Sequence, residues 1–260
     1  MKLTILGCGC SGGVPAIGDK WGACDPGNPK NQRLRASILV SHDDTTLLVD
    51  TSPDMRQQLL SAGIGELDAV LYTHTHADHI HGIDDLRLIN HNMGCAIDVH
   101  ASKESLEEMG RRFPYVMEPP NPRAKGHFYK PCINAREING PFTVGPLTVT
   151  PFTQGHGFMD SLGFRFDAGD ISAAYSTDVM TLDDAAFAIL DGVEIWIVDC
   201  LQMHPHPTHA HLDLALEWIE RVKPRRAVLT HMTNDLDYDA FSEILPSGVE
   251  PAYDTMTIEI

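Results

Sequence analysis

Six consecutive residues, His74-Thr75-His76-Ala77-Asp78-His79, set three imidazoles and a carboxylate side by side. At this chain's own histidine and aspartate frequencies the pattern HxHxDH is expected by chance only ~0.004 times. Imidazole nitrogen and carboxylate oxygen are the donors that borderline divalent cations prefer. His74 and His76 lie on one side of a sharply turning loop and can share one ion, while Asp78 and His79 can face a second. A solvated polar loop gives no reason for this spacing. A pair of cations acidifies water and holds an anionic ester, so the chemistry to expect is hydrolysis.

Such a loop works only if the chain around it holds it still. A short apolar run over 69–72 reads as a buried strand, and the motif begins where that strand ends. Upstream, 2–6 reads as a strand entering Gly7-Cys8-Gly9-Cys10-Ser11-Gly12-Gly13. That run matches GxGxxG, yet Val14-Pro15-Ala16 is no helix start, and Lys30 and Arg33 stand near where a dinucleotide site needs an acid. A tight turn near the active site is expected instead. Runs over 36–40 and 45–49 flank His42-Asp43-Asp44 as a hairpin. Ser52-Pro53 reads as a helix start, with serine as N-cap and proline at N1, and Gly63 as its stop. Helices are expected over 84–91, 102–113, 182–190, 212–222 and 241–245. Strands are expected near 147–152, 163–166, 172–175, 194–198 and 227–229. Strands and helices interleave without repeat or linker, which predicts one α/β domain over 1–260. The Pro-rich, aromatic stretch 113–131 has no periodicity and is expected to be a lid or substrate loop. There Phe113, Tyr115, Phe128 and Tyr129 would stack a base or sugar, and Arg123, Lys125 and His127 would meet phosphate.

HTHADH resembles the signature of the metallo-β-lactamase superfold, which implies an αββα sandwich of two mixed β-sheets flanked by helices. The family's remaining ligand positions have matches in order. His156, in Gln154-Gly155-His156-Gly157, resembles the third histidine of the first site. Asp178, in Tyr175-Ser176-Thr177-Asp178, resembles the carboxylate that bridges both metals, and His231 the last ligand of the second. The resemblance thus implies the sets His74/His76/His156/Asp178 and Asp78/His79/Asp178/His231, holding two divalent ions. Zinc is the first choice because histidine dominates the first set, with manganese as the alternative. Asp50 matches a family aspartate that supports a metal-binding histidine, and reads equally as a helix-start aspartate near Ser52.

Gly7-Cys8-Gly9, Ser11-Gly12-Gly13-Val14-Pro15, Asn31-Gln32-Arg33-Leu34-Arg35 and Val198-Asp199-Cys200 are similar to the phosphoribosyl cyclic phosphodiesterase-like branch. In that branch a histidine upstream of the last ligand assists catalysis. His209, 22 residues before His231, stands at that place, with His211 close behind it. His204 and His206 read as exposed loop histidines. Some members bind a structural zinc through cysteines in the first long loop. Here that loop keeps Cys24 alone, which cannot close a tetrahedral site, so no structural zinc is expected.

Composition narrows the function. Lys and Arg number 19 against 36 Asp and Glu, a net charge of −17. That field repels duplex nucleic acid and anionic membranes, and argues against a tRNA-processing nuclease. It does not exclude an anionic substrate held by bound cations. Six cysteines without CxxC spacing, no apolar stretch of about 18 residues, and glycines soon after Met1 lead to the expectation of a cytoplasmic protein. The chain is compatible with a homodimer. The leading expectation is hydrolysis of a small cyclic, nucleotide- or sugar-phosphate diester, with Asp178 and His209 as catalytic residues. The alternatives are a lactone or thioester hydrolase and a non-catalytic metal-binding protein, and the complete ligand set argues against the latter. Dedicated β-lactamases place a cysteine at the second metal, and the diiron branch has a glutamate where this chain has His76.

Overall fold

Apolar side chains alternate along the strands, and the alternation builds two sheets. A computed structural model describes residues 1–119 and 128–260. The first sheet comprises β1 (Lys2–Gly7), β2 (Ser37–His42), β3 (Thr45–Val49), β4 (Ala69–Leu71), β5 (Ile97–Ala101), β6 (Ile133–Glu137) and β14 (Thr257–Glu259). The second comprises β7 (Phe142–Val144), β8 (Leu147–His156), β9 (Met159–Ala168), β10 (Ile171–Ser176), β11 (Ile195–Asp199), β12 (Arg226–Thr230) and β13 (Val249–Pro251). Their spatial orders are β14-β1-β2-β3-β4-β5-β6 and β13-β12-β11-β10-β9-β8-β7. Both sheets are mixed: β3 through β6 and β10 through β13 run parallel, and the remaining pairs are antiparallel.

Successive side chains on a strand point to opposite faces. Ile38 and Val40 of β2 and Leu47 and Val49 of β3 therefore join the core shared with Phe164, Phe166 and Ile197 of the second sheet. Leu39, Leu48 and Val70 point the other way, into a second apolar layer. That outer layer is completed by α1 (Met55–Ala62), α3 (Leu86–Met93) and α4 (Lys103–Arg112). On the far side, α6 (Asp184–Leu190) and α7 (Leu212–Val222) bring Phe187, Leu190, Ala215 and Trp218 against the second sheet. β11 is buried on both faces, which is why Ile195-Trp196-Ile197-Val198 is an unbroken apolar run. Helices lie outside both sheets, so the layering is αββα.

The helix after β3 begins later than its sequence suggests. Asp54, not Ser52, is the N-cap of α1. The Ser52 hydroxyl instead accepts from the Asp54 N–H and donates to Gln58, closing a turn that holds Pro53 ahead of the helix. Gly63 does end α1, at φ 68°. Short α2 (Ala77–Ile80), α5 (Pro114–Met117) and α8 (Tyr238–Ile244) complete the elements named here. Among the described residues no helix is long and apolar enough to cross a membrane.

Candidate metal centre

The expected site residues converge from strand ends. Asp50 follows β3, His74 comes just beyond β4, His156 closes β8, Asp178 lies just past β10, Asp199 closes β11 and His231 follows β12. The carboxyl ends of parallel strands open a crevice that no neighbouring strand fills. Three of these residues adopt left-handed backbone, Asp50 at φ 64°, Asp178 at φ 53° and His231 at φ 60°. Aspartate and histidine tolerate this region better than most residues, but it still costs on the order of 1–3 kcal/mol each. The turn it makes brings each side chain back over the strand end and into the crevice.

The glycine-rich run after β1 forms the opposite rim. Gly9 bridges both Arg35 and Met232, and a Cβ there would sit 2.9 Å from the Arg33 Cβ. Only glycine lets the chain pass this close. The run is thereby stitched to the His231 loop through Met232 N–H to the Cys8 carbonyl (2.9 Å) and Cys10 N–H to the Met232 carbonyl (3.1 Å). Ser11 then lines the same cleft, of about 370 Å³, as His76, Asp178 and His231.

Two nests of donor atoms share one carboxylate. His74, His76, His156 and Asp178 form the first, Asp78, His79 and His231 the second, and in each set the ligand atoms lie within 4.8 Å of one another. Asp178 Oδ1 is 3.8 Å from His74 Nε2 and 3.6 Å from His156 Nε2. Its Oδ2 is 3.1 Å from His79 Nε2 and 3.4 Å from His231 Nε2. Asp78 Oδ2 reaches the same pair of histidines at 3.3 and 3.6 Å. His76 turns Nδ1 inward, 3.2 Å from His156 Nε2.

Buried hydrogen bonds behind the rings fix which nitrogen faces the cleft. His79 Nδ1 donates to Asp50 Oδ2 at 2.7 Å, and His156 Nδ1 to the Thr208 carbonyl at 2.7 Å. His74 Nδ1 is 3.0 Å from the Thr73 hydroxyl, which itself donates to Asp50 at 2.8 Å. Asp50 thus orients two rings at once. A side chain that holds a ligating histidine in this way sets both its tautomer and its basicity. On the cleft side, Nε2 of His74 is buried without a hydrogen-bond partner, and Nε2 of His79 and His231 faces only the carboxylates of Asp78 and Asp178 at 3.1–3.6 Å. An orphaned buried nitrogen costs about 1–3 kcal/mol. A divalent cation in each nest would satisfy these atoms, so nitrogen and oxygen donors in this arrangement fit the group.

The two nests carry opposite protonation. Burial, then His79 alongside, pushes His74 well below the ordinary imidazole range. His76 and His156 are lowered by burial too, with Asp178 opposing it in part. In the second nest burial acts the same way on His79, but Asp178, Asp78 and Asp50 outweigh it and hold the ring well above its usual range. His231 is likewise carried up to about 9, chiefly by Asp178 against the pull of burial. Burial would raise Asp178, yet His231, His79 and His74 keep it well below the carboxylate range.

His209 stands beside this cluster. Its Nδ1 donates to Asp199 Oδ2 at 2.9 Å, leaving Nε2 facing the cleft 3.8 Å from Asp178 Oδ1. His211 is the N-cap position of α7 and lies outside these groupings. Asp199 is the residue that sequence reasoning passed over, having appeared there only within a family motif. It is fully buried, and its other contacts are to Val179 N–H (3.1 Å) and the neighbourhood of His231 (4.0 Å). A carboxylate ending an all-apolar strand was the available signal. Arg112 was missed as well, and it anchors the metal loop by donating to the Thr75 carbonyl at 2.7 Å.

Of the 113–131 stretch, residues 113–119 and 128–131 are described. Phe113 packs on His81, Tyr115 donates to Asp84 and Phe128 lies edge-on to His91. None of these, nor Tyr129, is among the residues lining the cleft. Arg123, Lys125 and His127 lie outside the described residues. A larger cavity of about 660 Å³, lined by Arg33, Arg35 and Tyr253, sits beyond Gly13 and Val14 and holds neither nest.

Two mixed sheets with outer helices and a histidine–aspartate cluster on their shared edge define a class, the hydrolases of metallo-β-lactamase fold. Residues 45–232 match the beta-lactamase superfamily domain, and the chain belongs to that family. Within it, the chain is 33% identical to a diphosphatase from the PhnP family, with a TM-score of 0.89 over 100% of this chain and 97% of that one. It is also 33% identical over 257 residues to a Porphyromonas gingivalis protein named octanoyltransferase. That match covers 98% of this chain but 50% of the relative, so the chain spans half the length of the protein that bears the name. Zinc-bound PqqB from Methylobacterium extorquens shares the fold, with a TM-score of 0.76 at 20% identity and both chains fully covered.

Proposed function

We propose that the chain is a two-cation phosphodiesterase acting on a small cyclic, nucleotide- or sugar-linked diester. The observation that carries this is the Asp178 carboxylate, whose Oδ1 faces the histidines of one nest and whose Oδ2 faces those of the other. One carboxylate shared in this way would serve a cation in each nest, and two cations would supply charge neutralisation to a phosphodiester. Zinc is the first choice and manganese the alternative. Such ions supply Lewis acidity, which offsets phosphate charge and acidifies a water.

The chain's own residues do the rest. His74, His76 and His156 would hold the first ion, Asp78, His79 and His231 the second, and Asp178 both. Asp50 and Thr73 keep two of the rings aimed. Asp199 holds the His209 Nδ1 proton, so a second proton, taken up from solvent at Nε2, is the one passed to the leaving oxygen. This is general acid catalysis by a positioned imidazole. The diphosphatase likeness supports phosphorus–oxygen cleavage. The charge of −17 favours a small diester over duplex nucleic acid or an anionic membrane, and a cytoplasmic protein, with a homodimer compatible, completes the proposal.

The test is to strip the protein with a chelator, reload it with zinc or manganese, and assay phosphodiesters beside lactones and thioesters. Diester turnover that returns with the metal is expected. Turnover of acyl substrates alone would overturn the reading.

A further inference from the structure

β8 and β9 are joined by two residues, Gly157 and Phe158, with His156 paired to Met159 across the turn. Gly157 is left-handed at φ 66°, the first position of a primed hairpin turn where glycine is favoured. Phe158 follows it and is fully exposed. Single exposed apolar residues are ordinary on protein surfaces. Three observations set this one apart. Phe158 and Met159 line the same cleft as residues of both nests, and among the described residues the rest of its lining carries a hydroxyl, imidazole or carboxylate. The turn is also pinned: a Cβ on Gly157 would meet the Thr208 methyl at 2.4 Å, and His156 Nδ1 donates to the Thr208 carbonyl. Finally, Phe158 is two residues from His156, whose ring lies 4.7 Å from that of His209, so the backbone carrying the aromatic ring is placed by the scaffold beside both.

We infer that Phe158 is the specificity-determining residue of this cleft and that the substrate carries a planar ring, a nucleobase or an aryl group, which stacks on it. This inference rests on the proposed phosphodiesterase reading and names its substrate class. The cleft is divided chemically. Its floor, with the two nests and His209, takes the anionic phosphate, and its wall at Phe158 and Met159 offers the apolar surface. The pinned turn fixes the backbone that carries the ring, the exposed ring is open to a ligand, and base–aromatic stacking is tolerant of base identity. Methionine beside it adds a polarizable edge to the same wall.

The test compares two ligands that differ only in the ring, adenosine 5′-monophosphate and ribose 5-phosphate, by calorimetric titration of the metal-loaded protein. The nucleotide is expected to bind roughly 5- to 100-fold tighter, the span that stacking of one base supplies. Phe158→Ala should erase that difference by weakening the nucleotide alone, and Phe158→Trp should restore it. Metal content should be unchanged in both variants. Equal affinities in the unsubstituted protein, or equal weakening of both ligands in Phe158→Ala, would overturn the inference. Because binding is measured without turnover, the result stands apart from the fate of the catalytic reading. A ring preference in a protein that hydrolyses no diester would retain Phe158 and sink the proposed reaction.

Discussion

The two nests share Asp178 and little else. In the first, three histidines are held below their ordinary range and stand neutral, ready to donate lone pairs. In the second, His79 is held above it by Asp178, Asp78 and Asp50, and His231 by Asp178, Asp78 and Asp199, so in the metal-free protein both rings favour a proton. A cation entering the first nest meets ligands already in the right state. One entering the second must displace protons, so its affinity rises with pH. The comparison teaches that the second nest is where electrostatics is stored, in histidinium–carboxylate pairs that a metal ion replaces.

The largest effect should come from breaking what the nests share. Asp178→Ala is expected to empty both, with metal content falling below one equivalent and activity falling to background. His76→Ala, which touches only the first nest, should instead remove one equivalent and leave the second ion. Elemental analysis of both variants distinguishes a shared ligand from two independent sites.

Next in size is His209, the proposed proton carrier, which also groups with Asp178 and His231 as a possible ligand set. His209→Ala should slow turnover by about 10²–10⁴ with both ions in place. The loss should shrink for aryl diesters, whose leaving groups need no proton. Metal loss, or equal slowing of good and poor leaving groups, would exclude this role.

A smaller effect separates the nests by pH. His231 is raised to about 9 in the folded, metal-free protein, from an ordinary value near 6.5. The stability it contributes is complete below about pH 6.5 and is lost as pH climbs through 9. That difference corresponds to roughly 3 kcal/mol, and His79 acts in the same direction. Chelator-treated protein should therefore melt at a lower temperature at pH 9.5 than at 6.5, whereas zinc-loaded protein should show no such fall. Parallel melting curves would remove the distinction between the nests.

The smallest effect tests the support behind the rings. Asp50→Asn should weaken metal affinity about 10- to 100-fold, mainly in the second nest, because its direct partner there is His79 at 2.7 Å. Competition with a chromogenic chelator reads this directly.

How much of this could be read beforehand follows from geometry. One loop supplies His74, His76, Asp78 and His79, so that part of the site is written contiguously. His156, Asp178 and His231 each end a different strand, and their neighbours are ordinary strand residues. They were legible only through family likeness. Asp50 and Asp199 close the runs Leu47-Leu48-Val49 and Ile195-Trp196-Ile197-Val198, where a charge ending a fully buried strand marks a residue with a buried partner. Asp50 was read both ways and Asp199 only as part of a motif. Most of the longer strands were legible, while β5, β6, β7, β13 and β14 were not. β6, β7, β13 and β14 are the edge strands, three to five residues long with little burial, and β5 is a five-residue inner strand whose run is broken by Asp98 and His100, so no periodicity could develop. Nothing in the sequence marked Phe158, since only the closure of β8 on β9 brings it over the cleft.

The most direct test of the account is a crystal of the zinc-loaded protein examined by anomalous diffraction at the zinc edge. Two peaks about 3.5–4 Å apart are predicted, one among His74, His76 and His156, the other among Asp78, His79 and His231, with one oxygen of Asp178 on each. A single peak, or two peaks of which only one touches Asp178, would contradict it.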